Sequence, residues 1–236
     1  MSELPINQII CGDFLSVMKD WPDKCVDLVL TDPPYNVQLG DNHYSARQGG
    51  YDIHSDTLTE DSYALLIKTV SQHIIRLSRF SVIAPGNSNQ TLWPPPVWTM
   101  AWTKKNGCTR TPLTRGQKMN HCCWEPLLVY GKMDEPPKHD LFDCPISFQV
   151  NANDHPCPKP LQLFKWLVCT SNVNSLILDP FCGSGTTCVA AKMLGRRYIG
   201  IDISPEYCKI AEERLLSVDT GVPVKEARKG QQAFNY

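Results

Sequence analysis

Short apolar runs alternate with stretches of helical period along most of this chain, and that alternation predicts an α/β fold. Gln8-Ile9-Ile10-Cys11 reads as a buried strand ending at Gly12-Asp13, with a helical turn from Phe14 to Lys19. Val26-Asp27-Leu28-Val29-Leu30 is a second strand, closed by an Asp-Pro-Pro turn. A helix is predicted from Thr59 to Leu77: Thr59 can cap it, acids sit in its first turn, and Leu66, Val70, Ile74 and Leu77 recur at helical spacing. Ser81-Val82-Ile83-Ala84 and Trp124 to Tyr130 read as further strands, and Lys159 to Thr170 as a helix carrying Leu163, Trp166 and Leu167. The last third is the most regular. A strand at 176–178, a helix from Thr186 stopped by Gly195, a strand at 197–201 and a helix opened by Ser204-Pro205-Glu206 make a βαβα unit.

The segments between are less periodic. Residues 36–58 are rich in Gly, Asn, Asp, Gln and Tyr, which suits a mobile loop over a site. The stretch Trp93-Pro94-Pro95-Pro96-Val97-Trp98 opens an insertion, 93–123, with a basic loop from Lys104 to Asn120; residues 131–154 read as a polar surface connection. With 236 residues, 42% of them hydrophobic, the whole chain 1–236 is expected to be one catalytic domain.

Composition narrows the classes. No run approaches the roughly 18 to 20 apolar residues that cross a bilayer, and the start has no signal-peptide pattern, so a cytosolic protein is expected. The 11 cysteines are odd in number and scattered, which favours reduced thiols. Neither Cys122-Cys123 nor His155-Pro156-Cys157 has the paired spacing of a structural zinc site, so no metal is expected. The net charge of −1 hides an asymmetry: Ser62 to Trp124 holds eight basic residues (Lys68, Arg76, Arg79, Lys104, Lys105, Arg110, Arg115, Lys118) and no acid, leaving −9 for the remainder. Such a segment can steer a phosphate backbone, although an ordinary solvated face would look the same.

Two segments carry the chemistry. Asp179-Pro180-Phe181-Cys182-Gly183-Ser184-Gly185-Thr186 follows an apolar strand and opens a helix, so its backbone can approach a ligand closely. Asp202 ends the next strand, where a carboxylate can accept from the hydroxyls of a ribose. A nicotinamide dinucleotide would also fit a lone G-x-G. However, Cys188 replaces the third glycine of that fingerprint, and Asp179 would repel a pyrophosphate while suiting the ammonium of an amino-acid moiety. The second segment is Thr31-Asp32-Pro33-Pro34-Tyr35-Asn36. An exocyclic nucleobase amine is a poor nucleophile because its lone pair is delocalised into the ring. A carboxylate and a neighbouring carbonyl that each accept one N–H would localise that pair, and Asp32 with the carbonyl of Pro33 can do so while Tyr35 stacks on the base. On its own, Asp-Pro-Pro is equally a plain turn.

Together the segments resemble those of the beta-class amino-methyltransferases of DNA, in which D-P-P-Y precedes D-P-F-x-G-S-G-T. Four more elements share the likeness: Cys11-Gly12-Asp13, Ala84-Pro85-Gly86-Asn87, Trp124-Glu125-Pro126 and His155-Pro156-Cys157-Pro158-Lys159-Pro160. The resemblance implies a Rossmann-like S-adenosylmethionine methyltransferase fold with a mostly parallel sheet, circularly permuted motif order and a short target-recognition insertion. It implies that Asp179, Phe181, Gly183, Gly185 and Thr186 surround the methionine part of S-adenosylmethionine, that Asp202 holds the ribose, that Asp13 meets the adenine, and that His155 and Lys159 close over the carboxylate. Asp32, Pro33, Pro34 and Tyr35 would grip a base flipped out of double-stranded DNA. Lys104, Lys105, Arg110, Arg115 and Lys118 would contact the duplex, within a site of about 4 or 5 base pairs. The D-P-P-Y form followed by Asn36 leans toward N6 of adenine; N4 of cytosine, a non-catalytic DNA-binding module on the same fold, and a monomer or homodimer all stay open. The whole reading requires Asp32 and Asp179 to share a cavity.

Overall fold

The computed structural model describes residues 3–36, 58–104, 109–112, 119–145 and 159–221. Eight strands form one sheet in the order β1-β10-β9-β2-β3-β7-β4-β8. In chain order these are β1 (Gln8–Cys11), β2 (Val26–Thr31), β3 (Ser78–Ile83), β4 (Trp98–Thr103), β7 (Trp124–Gly131), β8 (Leu141–Asp143), β9 (Leu176–Asp179) and β10 (Arg197–Asp202). A separate antiparallel hairpin joins β5 (Thr109–Pro112) to β6 (Met119–Cys122). The strands β1, β10, β9, β2 and β3 run parallel to one another, β7 runs antiparallel to β3 and β4, and β8 is parallel to β4.

Among the described residues, five α-helices cover the sheet: α1 (Phe14–Met18), α2 (Glu60–Leu77), α3 (Leu161–Val168), α4 (Thr186–Met193) and α5 (Pro205–Thr220). Each strand's alternation splits its side chains between two cores, which is why the domain has three layers. Ile177, Tyr198, Leu127 and Val129 pack toward α3 and α4, whereas Leu176, Leu178, Ile199, Ile201, Leu128 and Tyr130 pack toward α1 and α2. Of the predicted stripe of α2, Val70, Ile74 and Leu77 are under 2% exposed while Leu66 is only half-buried, and Tyr63 and Ile67, equally buried, complete the packed face. At about 1.5–3 kcal/mol for each fully buried large side chain, that face anchors the helix far more strongly than its propensity does.

The predicted caps form: Thr59 accepts from the Ser62 amide and Ser204 from the Tyr207 amide. Elsewhere the structure adds elements. Residues 98–103 of the expected insertion are β4 of the main sheet, paired along their whole length with β7, so the departure from the sheet begins only after Thr103. The expected basic loop contains β5 and the start of β6, which runs two residues past it to Cys122, and the expected surface connection contributes β8. The proposed mobile loop lies outside the described residues except at its ends, where Asn36 Nδ2 donates to the Leu58 carbonyl at 2.9 Å. No described helix is long and apolar enough to cross a membrane.

The site follows from the strand order. β9 leads through α4 to β10 on one side, while β2, on its other side, leads through α2 to β3. Two parallel strands whose crossovers diverge leave a crevice beyond their carboxyl ends. Asp179 ends β9, Asp202 ends β10 and Asp32 follows β2.

Candidate active site

Asp32 is held in place by its neighbours on the turn. Tyr63 of α2 donates to the Pro34 carbonyl at 2.7 Å, and Asn89 donates to the Tyr35 carbonyl at 2.8 Å. The chain leaves the turn through Asn36 in a left-handed conformation, φ 52°, which asparagine tolerates better than most residues. Among the described residues nothing donates to the Pro33 carbonyl. The Asp32 carboxylate accepts from the Lys159 ammonium at 2.8 and 2.9 Å, one bond to each oxygen, and from the Tyr35 hydroxyl. Lys159 also donates to the Tyr35 oxygen at 2.6 Å and stands 4.8 Å from the centre of its ring. Burial, followed by the nearby Asp32 and Glu125 charges, pushes the Tyr35 hydroxyl well above its ordinary pKa, so it stays protonated and donates. The turn therefore holds an N–H donor, the Lys159 ammonium, on the Asp32 carboxylate.

The second half is built around Asp179, only 3% exposed. Its Oδ1 accepts from the Thr31 hydroxyl at 2.6 Å and the Phe181 amide at 3.1 Å, and its Oδ2 accepts from Thr187 at 2.5 Å. Thr31 thus ties the end of β2 to the end of β9. Burial raises the carboxyl from 3.8 to about 7, against the lowering effect of those three bonds. Gly183 and Gly185 both adopt positive φ, 49° and 81°. A Cβ on Gly185 would stand 2.7 Å from that of Ala211, so only glycine lets this loop lie against α5. Arg214 of α5 staples the loop from outside, donating to the Ser184 carbonyl at 2.6 Å and to the Thr186 hydroxyl at 3.2 Å. Asp202 accepts from the Gly183 amide at 2.8 Å and the Ser204 amide at 2.9 Å, and burial raises its carboxyl. Asp13 is exposed and caps α1 through the Ser16 amide, while Phe14, which follows it, packs its ring 4.8 Å from that of Phe181.

The halves meet. One cavity of about 50 Å³ is lined by Asp32 and Lys159 on one side and by Asp179, Phe181, Gly183, Thr186 and Thr187 on the other. A cavity of about 430 Å³ lies away from the strand ends, between β8 and the end of α3, and gathers no comparable constellation among the described residues. Lys159, expected near a cofactor carboxylate, lines the shared cavity with its ammonium on Asp32.

Lys104 corrects the reading of the basic segment. Its side chain is 0% exposed, donates to Glu125 Oε1 at 2.6 Å and lies 5.2 Å from the Trp102 ring centre, so it cannot reach a phosphate. The cause is strand alternation: Met100 and Trp102 face the core, and residue 104 continues their side. Lys105, Arg115, Lys118 and His155 lie outside the described residues, and Arg110 is described only as backbone of β5. Glu125, whose motif resemblance carried no assigned role, is a buried partner of both Lys104 and Lys159. The two lysines beside it hold its carboxyl below the ordinary value even though burial alone would raise it. An acid at the head of an otherwise apolar strand was the available signal.

Comparison with known proteins agrees with this geometry. The profile of the DNA methylase family of N6/N4 type matches residues 88–213. The methylase YubD of Escherichia coli K12 is 31% identical over 220 residues, covering 90% of this chain and 92% of YubD. Among solved structures, the DNA modification methylase TTHA0409 of Thermus thermophilus superposes with a TM-score of 0.62 at 22% identity, covering 92% of this chain and 97% of its own. The cytosine-N4-specific PvuII DNA methyltransferase gives 0.63 at 17% identity, covering 94% and 89%. A sheet whose strand ends unite Asp32 with Asp179, a family match over half the chain and a relative aligned over nearly its whole length lead to one conclusion: this chain belongs to the N6/N4 family of DNA methylases.

Proposed function

We propose that the protein transfers a methyl group from S-adenosylmethionine to the N6 amine of an adenine flipped out of double-stranded DNA. The observation that carries this reading is the single cavity bordered by Asp32 and Asp179. The residues present fit the cofactor. Asp179 offers a buried carboxylate to an ammonium, the Gly183-Ser184-Gly185 loop offers close backbone approach, Asp202 stands at the next strand end for a ribose, and Asp13 borders the adjoining strand. The flanking Phe181, packed on Phe14, supplies an apolar wall, and Thr186 borders the loop from the helix side.

When bound, S-adenosylmethionine supplies an electrophilic methyl on a sulfonium. The protein's own part is to position and to stabilise charge. Asp32 accepts one amine N–H and the Pro33 carbonyl the other, which draws both hydrogens out of the ring plane and turns the nitrogen lone pair toward the donor. A carboxylate is far too weak a base to deprotonate a neutral arylamine; Asp32 instead stabilises the positive charge that attack creates and then takes the proton. Pro34 stiffens the turn, and the ring of Tyr35 stacks on the base. Flipping is required because a stacked amine cannot reach the sulfonium.

Mass spectrometry of nucleosides from DNA treated with the protein and S-adenosylmethionine is expected to reveal N6-methyladenine. N4-methylcytosine in its place would overturn the choice of base, and the absence of both would overturn the activity. Asp32→Ala is expected to reduce transfer by at least about 1,000-fold while calorimetry finds the cofactor affinity within about threefold of the parent. Normal turnover in that variant would refute the clamp.

A further inference from the structure

A line of four charges runs inward from the end of β4 to the clamp. Lys104 Nζ donates to Glu125 Oε1 at 2.6 Å; Glu125 Oε2 stands 3.7 Å from Lys159 Nζ; and Lys159 Nζ donates to both oxygens of Asp32. The side chains of Glu125 and Lys159 are each only 11% exposed. Glu125 Oε2 is buried and accepts no hydrogen bond among the described residues, an expensive condition for an ionised oxygen. Meanwhile the Lys159 ammonium occupies both the carboxylate and the vicinity of the Tyr35 ring that the incoming base needs.

We propose that Glu125 is a positioning residue that receives the Lys159 ammonium when a nucleobase amine replaces it on Asp32, an inference resting on the transfer chemistry proposed above. An ammonium left on Asp32 would block the amine and repel the positive charge that methylation places on its nitrogen. Sending Lys159 into a low-dielectric crevice without a partner would be costly. A shift of about 1 Å brings its nitrogen from 3.7 Å to an ordinary charge-assisted bond with Oε2. Lys104, locked on Oε1, keeps Glu125 from following Lys159 back toward the clamp. The free and base-bound states thus keep the same four charges, with Glu125 holding both lysines in the second while Asp32 accepts from the amine.

The test is single-turnover transfer of a labelled methyl group to unmethylated genomic DNA, at saturating cofactor, with cofactor affinity measured by calorimetry. Glu125→Gln is expected to slow the step by about tenfold or more, with cofactor affinity held within about threefold. Adding Lys159→Met is expected to restore part of that loss, since no cation remains to be moved; a purely structural Glu125 would give no such rescue. If Glu125→Gln fails to fold with Lys104 stranded, Lys104→Met/Glu125→Gln removes the stranded cation and is expected to be as slow. A parental rate in the folded glutamine variant, or a Lys159→Met double variant no faster than Glu125→Gln, would overturn the role. Failure of the parent protein itself to methylate DNA would instead sink the underlying function, so the two failures are distinguishable.

Discussion

At the cofactor site proposed above, Asp179 would couple cofactor capture to pH. Its carboxyl is raised from 3.8 to about 7 in the folded protein, so between those values the native state holds a proton that the unfolded chain has released. Stability therefore falls as pH rises through that window, and the loss is complete above about 7. A cationic ligand draws on the ionised form and reverses the sign. Affinity for S-adenosylmethionine is expected to climb about tenfold per pH unit below the Asp179 pKa and to level off above it. Calorimetry across pH 5 to 9 checks this, and Asp179→Asn should flatten the profile and weaken binding throughout. At this scale the sequence was most informative where a carboxylate closes an apolar run, as at Asp179 and Asp202. It was least informative where burial decides a residue's role. Lys104, set among basic neighbours, reads as surface until strand alternation turns it inward to Glu125. Arg214 and its grip on the glycine loop lie on an amphipathic helix that gives no hint of the contact.

Among the elements, the turn into α4 is tightly constrained. Gly185 combines φ 81° with a would-be Cβ contact of 2.7 Å to Ala211, and the Ala211 backbone stands 3.1 Å away. Gly185→Ala is therefore expected to cost about 1–3 kcal/mol from the backbone conformation alone, more from the clash, and to lower the melting temperature by several degrees in calorimetry. Cofactor affinity should fall with it, because the same loop carries Gly183 against Asp202. Elements that announce themselves locally were legible: α2 through Thr59 and its stripe, and the final βαβα unit through Gly195, Ser204 and Pro205. The strands β4, β5, β6 and β8 were not. Pro94-Pro95-Pro96 masks the start of β4, β8 spans three residues, and all four depend on partners that local pattern does not reveal.

For the molecule as a whole, the lopsided distribution of charge predicts how it meets DNA. Of the eight basic residues between Ser62 and Trp124, Lys104 is buried on Glu125, and Arg76 and Arg79 pair with Asp23, Asp27 and Asp134; with the others meeting phosphates, binding should weaken with salt even though the net charge is −1. Neutralising Lys105, Arg110, Arg115 or Lys118 is expected to reduce the slope of log affinity against log salt by about one each. Neutralising Lys104 should leave that slope where it is, since its ammonium never faces solvent. Fluorescence anisotropy with a labelled duplex over a salt series measures both; a slope unmoved by the first set would remove the basic segment from the DNA-facing surface. The order of strands has an effect during biosynthesis too. Leu28 and Val29 of β2 find their hydrogen-bonding neighbours in Ile177 and Leu178, and β1 finds its neighbour in β10. A ribosome delivers the strand preceding Asp32 long before these neighbours emerge, so the nascent chain carries an open sheet edge for most of translation. On the site proposed above, only when the last third of the polypeptide has cleared the exit tunnel would a methyl donor be held opposite Asp32, and an unfinished copy would leave DNA unmarked.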